Sequence, residues 1–362
     1  MARNTGIDAA RLDEAVALAT AHETPWPRDL RAHLEAGHFE APPHNAILGP
    51  VIPRGGANGL VLHHGEPIAR WGDTRQVDMT FSVAKSYLAI LAGLAVADGL
   101  IRDLDAPVRA TVDDGGFDSA QNAPVTWRQL LQNTSEWEGA LFGKSDVIDR
   151  GRDIGVEGRG KKGNPRPLKA PGTHWEYNDV RVNRLSLALL RRFGRPLPEV
   201  FAERVMRPIG ASTDWSWHGY DTSWVEVPGW GLANSVSGGG HWGGGVFIHA
   251  EDQARIGQLV LQDGVWAGRR LLPAGWVAEC RRACALNPRY GLLWWLNTNG
   301  LSFPSASHES FCFSGAGGHT TWIDPTRRLV AVMRWLDPGA RDRFLGLLSA
   351  AVPPAQDAGR AA

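Results

Sequence analysis

Between Val83 and Ile101 apolar side chains fall on every face of the segment until Asp98 and Gly99 interrupt it, whereas from Asp8 to His22 they gather on one face at Leu12, Val16 and Ala19. The first pattern predicts a helix buried all round, the second an amphipathic helix lying on a core. Helix spacing or capping residues also mark Thr126 to Gln132, Val180 to Arg192, Pro198 to Met206 and Ala250 to Gln262, and Arg341 to Val352 forms a closing helix. Strand patterns sit outside this middle. Gly59 to Trp71 reads as two strands around a His-Gly-Glu-Pro turn, and Tyr290 to Leu296, Ser310 to Phe313, His319 to Ile323 and Leu329 to Trp335 read as strands, the last two joined at Asp324-Pro325-Thr326.

Strands at both ends and helices between them predict an α+β fold: one antiparallel sheet flanked by helices and built from both chain ends, with an inserted mainly helical domain. The expected boundaries are a discontinuous α/β domain over 1–105 and 246–352, an insert over 106–245 and a tail over 353–362. A cleft between the two would hold the chemistry. Gly143 to Gly172, rich in Gly, Pro, Arg and Lys and poor in periodicity, is a long loop that is either functional or an inert excursion.

Composition narrows the function more than the fold. The 362 residues are 43% hydrophobic and 21% charged, with 38 basic against 38 acidic side chains. That balance gives no global field, so nucleic acid and anionic membranes are excluded as main partners and a small molecule is favoured. The start, Met1 to Thr5, has no apolar signal core, and the run after Lys85 is too short to span a bilayer, so a cytoplasmic protein is expected. Cys280 and Cys284, one turn apart on an expected helix, and the distant Cys312 form no paired framework and no metal-ligand spacing. No metal and no cofactor is expected, and the oligomeric state is left open.

Lysine occurs only at 85, 144, 161, 162 and 169, and of these only Lys85 stands in a long apolar run. Ser82 lies three residues before it, on the same helix face. A hydroxyl beside an amine that can lose its proton is an activated nucleophile in outline. By itself a Ser-x-x-Lys arises by chance, and Lys85 read alone could snorkel from the first turn to water. Further candidates follow in order. Trp175, Tyr177, Asn178 and Asp179 stand just ahead of a helix, where side chains project into a cleft, though Tyr177 alone would pass for packing. Ser314, Gly315, Ala316 and Gly317 join two strands, where glycine lets a substrate approach backbone N–H groups. Gly238 to Gly245, whose spacing fits no phosphate loop, reads as a flexible cleft wall carrying His241 and Trp242.

Taken together these residues resemble the serine β-lactamase and penicillin-binding-protein superfamily, especially the class C-like branch with family VIII esterases and 6-aminohexanoate-dimer hydrolases. Ser82-Val83-Ala84-Lys85 matches its Ser-x-x-Lys, Tyr177-Asn178-Asp179 stands at its Tyr-x-Asn, and Ser314-Gly315 ends its Lys-Thr-Gly strand. The resemblance runs from about Gly59 to Trp335 and implies a Ser82 acyl-enzyme, with Lys85 and Tyr177 moving the proton and the Ser82 and Ala316 N–H groups holding the oxyanion. Trp175, Asn178, Asp179, His241, Trp242, Ser314, Gly315 and Gly317 are the expected substrate-binding residues. Two positions depart from the pattern. Asp179 replaces an Asn, and its charge favours the ammonium form of Lys85, making Tyr177 the more important base. Phe313 replaces the lysine that binds a carboxylate in the family, which counts against β-lactams. Hydrolysis of a small ester or amide is therefore expected, with β-lactamase or D-peptidase action, acyl transfer and a non-catalytic scaffold as the rival readings.

Overall fold

The computed structural model describes residues 6–152 and 166–354. The first helix, α1 (Ala9–Ala21), starts at Asp8, whose carboxylate accepts the Arg11 N–H at 3.2 Å and satisfies one of the free donors of the first turn. Strands β1 (Asn58–His63) and β2 (Glu66–Trp71) form a hairpin, and the short β3 (Asp78–Met79) leads into α2 (Val83–Ala97). Helix α3 (Trp127–Leu131) opens on a full capping box in which Thr126 and Gln129 satisfy each other's backbone N–H groups. Then come α4 (Asp179–Phe193), β4 (Ser216–Val227), β5 (Gly231–Val236), β6 (Gly245–Ile248) and α5 (Ala250–Leu261). The chain closes with β7 (Trp295–Leu296), β8 (Phe311–Gly315), β9 (His319–Asp324), β10 (Leu329–Arg334) and α6 (Arg341–Ala351).

Six strands form one sheet in the order β7-β8-β9-β10-β1-β2, every neighbouring pair antiparallel. Strands from both chain ends thus meet at the β1/β10 pair, as the α+β reading expects. Alternate residues serve two cores. Leu60, Leu62, Phe313, Ile323, Val330 and Val332 pack with α2 and α5, while Val61, Cys312, Trp322, Leu329, Ala331 and Met333 pack with α1 and α6. Because both faces are covered, the strands lose the apolar/polar alternation of a half-exposed sheet, and β10 reads as an unbroken apolar run. Helix α2 lies between this sheet and α4, so its 83–95 stretch is buried on every side.

Several local expectations differ. The stretch 216–236, within the segment expected to be mainly helical, forms the β4/β5 hairpin of a second sheet ordered β3-β6-β4-β5. A register shift between Gly219 and Trp224 breaks its alternation, which hides the strand from a period-two reading. Of Tyr290 to Leu296 only the last two residues pair as a strand. The helix expected from Pro198 to Met206 is α-helical over Leu197–Phe201 and widens to a π turn over Ala202–Met206. Cys284 lies beyond the helix that holds Cys280, which ends at that residue. Residues 153–165 of the expected Gly143 to Gly172 loop, and the tail from 355, fall outside the described residues.

Candidate active site

Ser82 stands at the start of α2, at a point where the backbone is forced. Phe81 takes φ 49°, a left-handed conformation that a bulky residue adopts only where packing enforces it. Here the rings of Trp26, Trp335, His241 and His319 enclose it. Two glycines let backbone close in around the serine. A Cβ on Gly239, at φ 79°, would sit 2.0 Å from the Phe81 carbonyl oxygen, and one on Gly315 would sit 2.2 Å from Thr80 O and 3.1 Å from Ser82 N. The end of β8 is thereby pressed against the Ser82 amide. Serine at a helix N-cap ordinarily caps, but the Ser82 hydroxyl makes no capping bond and turns to Lys85.

Lys85 is 1% exposed, and its Nζ lies 2.7 Å from Asp179 Oδ1, 2.9 Å from Ser82 Oγ and 3.1 Å from Gly238 O. An ammonium has three N–H donors and no acceptor, so these three oxygens match it. Burial pushes the ammonium's pKa down, but the Asp179 carboxylate and Tyr177 together outweigh burial and the net direction is up. At rest Lys85 is therefore a charged donor to the serine oxygen. It cannot take the serine's proton while it holds all of its own.

The remaining base candidate is beside it. Tyr177 is 3% exposed, and the Lys85 ammonium lies 5.1 Å from its ring centre. Its ring stacks on Trp295 at 5.7 Å and meets Tyr290 edge-on at 6.2 Å, and Trp175 packs against Tyr290 at 5.3 Å. These four aromatics form a wall beside the Lys85 ammonium. Arg152, which the sequence reading did not single out, donates to Asp179 Oδ2 at 3.1 Å, reaches Asp149 Oδ1 at 3.5 Å, and has its guanidinium carbon 5.2 Å from the Tyr177 ring centre. Nothing in its local pattern marks it, because only the folded 146–152 turn brings it back over α4.

The structure thus gathers Ser82, Lys85, Tyr177, Asp179 and Gly315. Ala316 follows Gly315 and packs on the Phe81 cluster. Asn178 is committed elsewhere: its Oδ1 caps α4 at Arg181 N–H, 3.1 Å, and its Nδ2 donates to Asp146 O at 2.9 Å. Trp242 is fully buried beneath Lys144, and His241 stacks on Phe39 at 3.8 Å. Gly317 lies under Trp335, and the Ser314 hydroxyl is 3.5 Å from Arg341 Nη1. Residues 238–245, expected as a flexible cleft wall, are a buried, close-packed segment, since its glycines serve backbone contact with Phe81 and Gly49. Phe313 is wholly buried between Tyr87 and Trp294, so β8 carries an apolar side chain where a cation would stand in the resembling family. A second serine, Ser212, touches His249 and Asp252, but His249 Nδ1 accepts the Asp252 backbone N–H. That leaves Nε2 as the protonated nitrogen, so His249 cannot take a proton from Ser212.

Residues 52–345 match the Beta-lactamase family model. The chain is 29% identical over 321 residues to the 6-aminohexanoate-dimer hydrolase of Paenarthrobacter ureafaciens, a stretch that covers 78% of this chain and 73% of that protein. A penicillin-binding-protein homologue from Caulobacter crescentus shares the fold with a TM-score of 0.60 at 17% identity, over 89% of this chain and 96% of the other. EstCE1, a hydrolase with promiscuous acyltransferase activity, does so with a TM-score of 0.58 at 16% identity, over 94% of this chain and 98% of the other.

Proposed function

The chain belongs to the Beta-lactamase family of hydrolases, and from that premise we propose that it cleaves a small ester or amide through an acyl-enzyme on Ser82. The observation that carries this reading is the 2.9 Å contact between Lys85 Nζ and a Ser82 hydroxyl that leaves its helix uncapped. In the proposed sequence Ser82 Oγ adds to the substrate carbonyl carbon as its proton passes to the Tyr177 phenolate. The Ser82 and Ala316 N–H groups stabilise the oxyanion, and the closeness of Gly315 to Ser82 N supports that pairing. Tyr177 returns the proton to the leaving alcohol or amine, the C–O or C–N bond breaks, and water then attacks the ester with Tyr177 again as base. Lys85 stays an ammonium throughout, holding the serine oxygen and balancing the negative charge that Tyr177 carries before it takes the proton and regains on returning it.

The aromatic wall of Trp175, Tyr177, Tyr290 and Trp295 suits an apolar acyl or leaving group. Phe313 leaves β8 without the cation that binds a carboxylate in the resembling family, which favours simple esters and amides over β-lactams. Its three cysteines are buried free thiols, which suits action in the reducing cytosol. Two measurements test the reading. A fluorophosphonate probe should add one adduct, located at Ser82 by peptide mass. On the same preparation kcat/KM should rank a p-nitrophenyl ester or linear amide above nitrocefin; the reverse order would make the protein a β-lactamase.

A further inference from the structure

Two cations from different segments lie near the Tyr177 ring. Lys85 approaches its ring to 5.1 Å from α2 and Arg152 to 5.2 Å from the 146–152 turn. Tyr290, neutral because burial pushes its pKa well up, and the indoles of Trp175 and Trp295 cover other parts of the ring. Among the described residues Asp179 and Asp149 add negative charge beside these cations: both pair with Arg152, Asp179 also with Lys85. With Phe313 in the core, β8 brings no positive charge to this ring. A phenolate that must accept a proton gains most from cations fixed before the reaction, in a site that excludes water.

We propose that Arg152 is a positioning residue for catalysis: held by Asp149 and Asp179, it acts with Lys85 to stabilise the Tyr177 phenolate that takes the Ser82 proton. The inference rests on the Ser82/Tyr177 reading above. Arg152 never touches the substrate in this scheme. Because a guanidinium does not deprotonate, its help does not fade within the working range.

The test follows Ser82 adduct formation with a fluorophosphonate from pH 5.5 to 10 by intact mass, alongside thermal melting. Removing a unit charge from beside the ring should move the acid limb of the profile up by about 1–2 pH units. Arg152→Gln should therefore label about 10- to 100-fold more slowly at pH 7 and approach the unsubstituted rate near pH 10. Arg152→Lys should restore most of the shift. Asp149→Asn should move the limb the other way, to lower pH, because it leaves the Arg152 charge less neutralised; this variant also carries the test if Arg152→Gln does not fold. A purely structural role predicts the same fractional loss at every pH and no opposite shift for Asp149→Asn, and either result would overturn the inference. Absence of any Ser82 adduct in the unsubstituted protein would instead overturn the hydrolase reading and this inference with it.

Discussion

Replacing Asp179 with Asn removes the counter-ion that keeps Lys85 charged, and the consequence depends on pH in a direction that can be worked out. The two groups lie 2.7 Å apart and are 1% and 3% exposed. At an effective dielectric of about 20 their attraction is about 6 kcal/mol, part of which is offset by the cost of burying both charges. Losing it cannot cost more than discharging Lys85, because a buried lysine sheds its proton instead of remaining unpaired. At pH 7 that ceiling is about 5 kcal/mol, so a loss of about 3–5 kcal/mol is expected. In the unsubstituted protein the folded-state pKa of Lys85 lies above the ordinary 10.5. Its contribution is therefore fully present below that value and lost only as pH rises through the higher folded one. In Asp179→Asn burial dominates and the shift reverses. The folded variant then binds fewer protons than its unfolded chain, and its stability rises with pH by up to about 1.4 kcal/mol per unit. Thermal unfolding at pH 7, 8, 9 and 9.5 should show a deficit of roughly 5 °C at pH 7 that shrinks steadily, down to a constant remainder from the loosened Arg152. A deficit that is the same at pH 7 and 9.5 would refute the claim that Asp179 holds Lys85 as an ammonium.

Other outcomes follow from the same contacts. Ser82→Ala should abolish fluorophosphonate labelling and lower turnover by several orders of magnitude with the melting curve nearly unchanged, since a half-exposed hydroxyl that caps nothing adds little packing; labelling retained at another serine would remove Ser82 from the mechanism. Tyr177→Phe should lower kcat by roughly 10²–10⁴-fold with KM altered much less, and a variant with only KM raised would make Tyr177 a binding residue. Glu136→Gln addresses the buried charges behind the site. Burial pushes the Glu136 pKa up, yet the guanidiniums of Arg166 and Arg181, each 2.7 Å away, bring it down to about 2. That stabilisation is present above the ordinary carboxylate value and lost as pH falls toward 2. The variant should accordingly be about 3 kcal/mol less stable at pH 7 in urea titration, with the difference closing below about pH 3; a pH-independent difference would show that the ion pairs do not carry it.

Much of this molecule is legible one residue at a time. The all-round apolar run of α2, the capping residues of α3 and α4, and the strand patterns of β1, β2, β9 and β10 each declare themselves, because local propensity and burial agree there. The Ser82/Lys85 pair is legible for the same reason: three residues along a helix place two side chains on one face whatever surrounds them. Asp179 as the partner of Lys85 could be anticipated from its place beside Tyr177, since a carboxylate near a buried amine has one electrostatic outcome. The β4/β5 hairpin was not legible, because its bulge destroys the period that would reveal it.

What the tertiary structure alone decided concerns contacts between segments far apart in the chain. Asn178 and Asp179 are neighbours in sequence, yet one caps α4 and the other faces Lys85, a division set by where the helix begins. The glycines from 238 to 245 look like freedom in the sequence and prove to be close backbone packing, since a missing side chain serves either purpose and only the neighbouring Phe81 carbonyl distinguishes them. Arg152 is one arginine among many until the 146–152 turn lays it over Tyr177. Periodicity and spacing report on contacts within an element; the charge around a catalytic base is a sum over groups that only folding brings together.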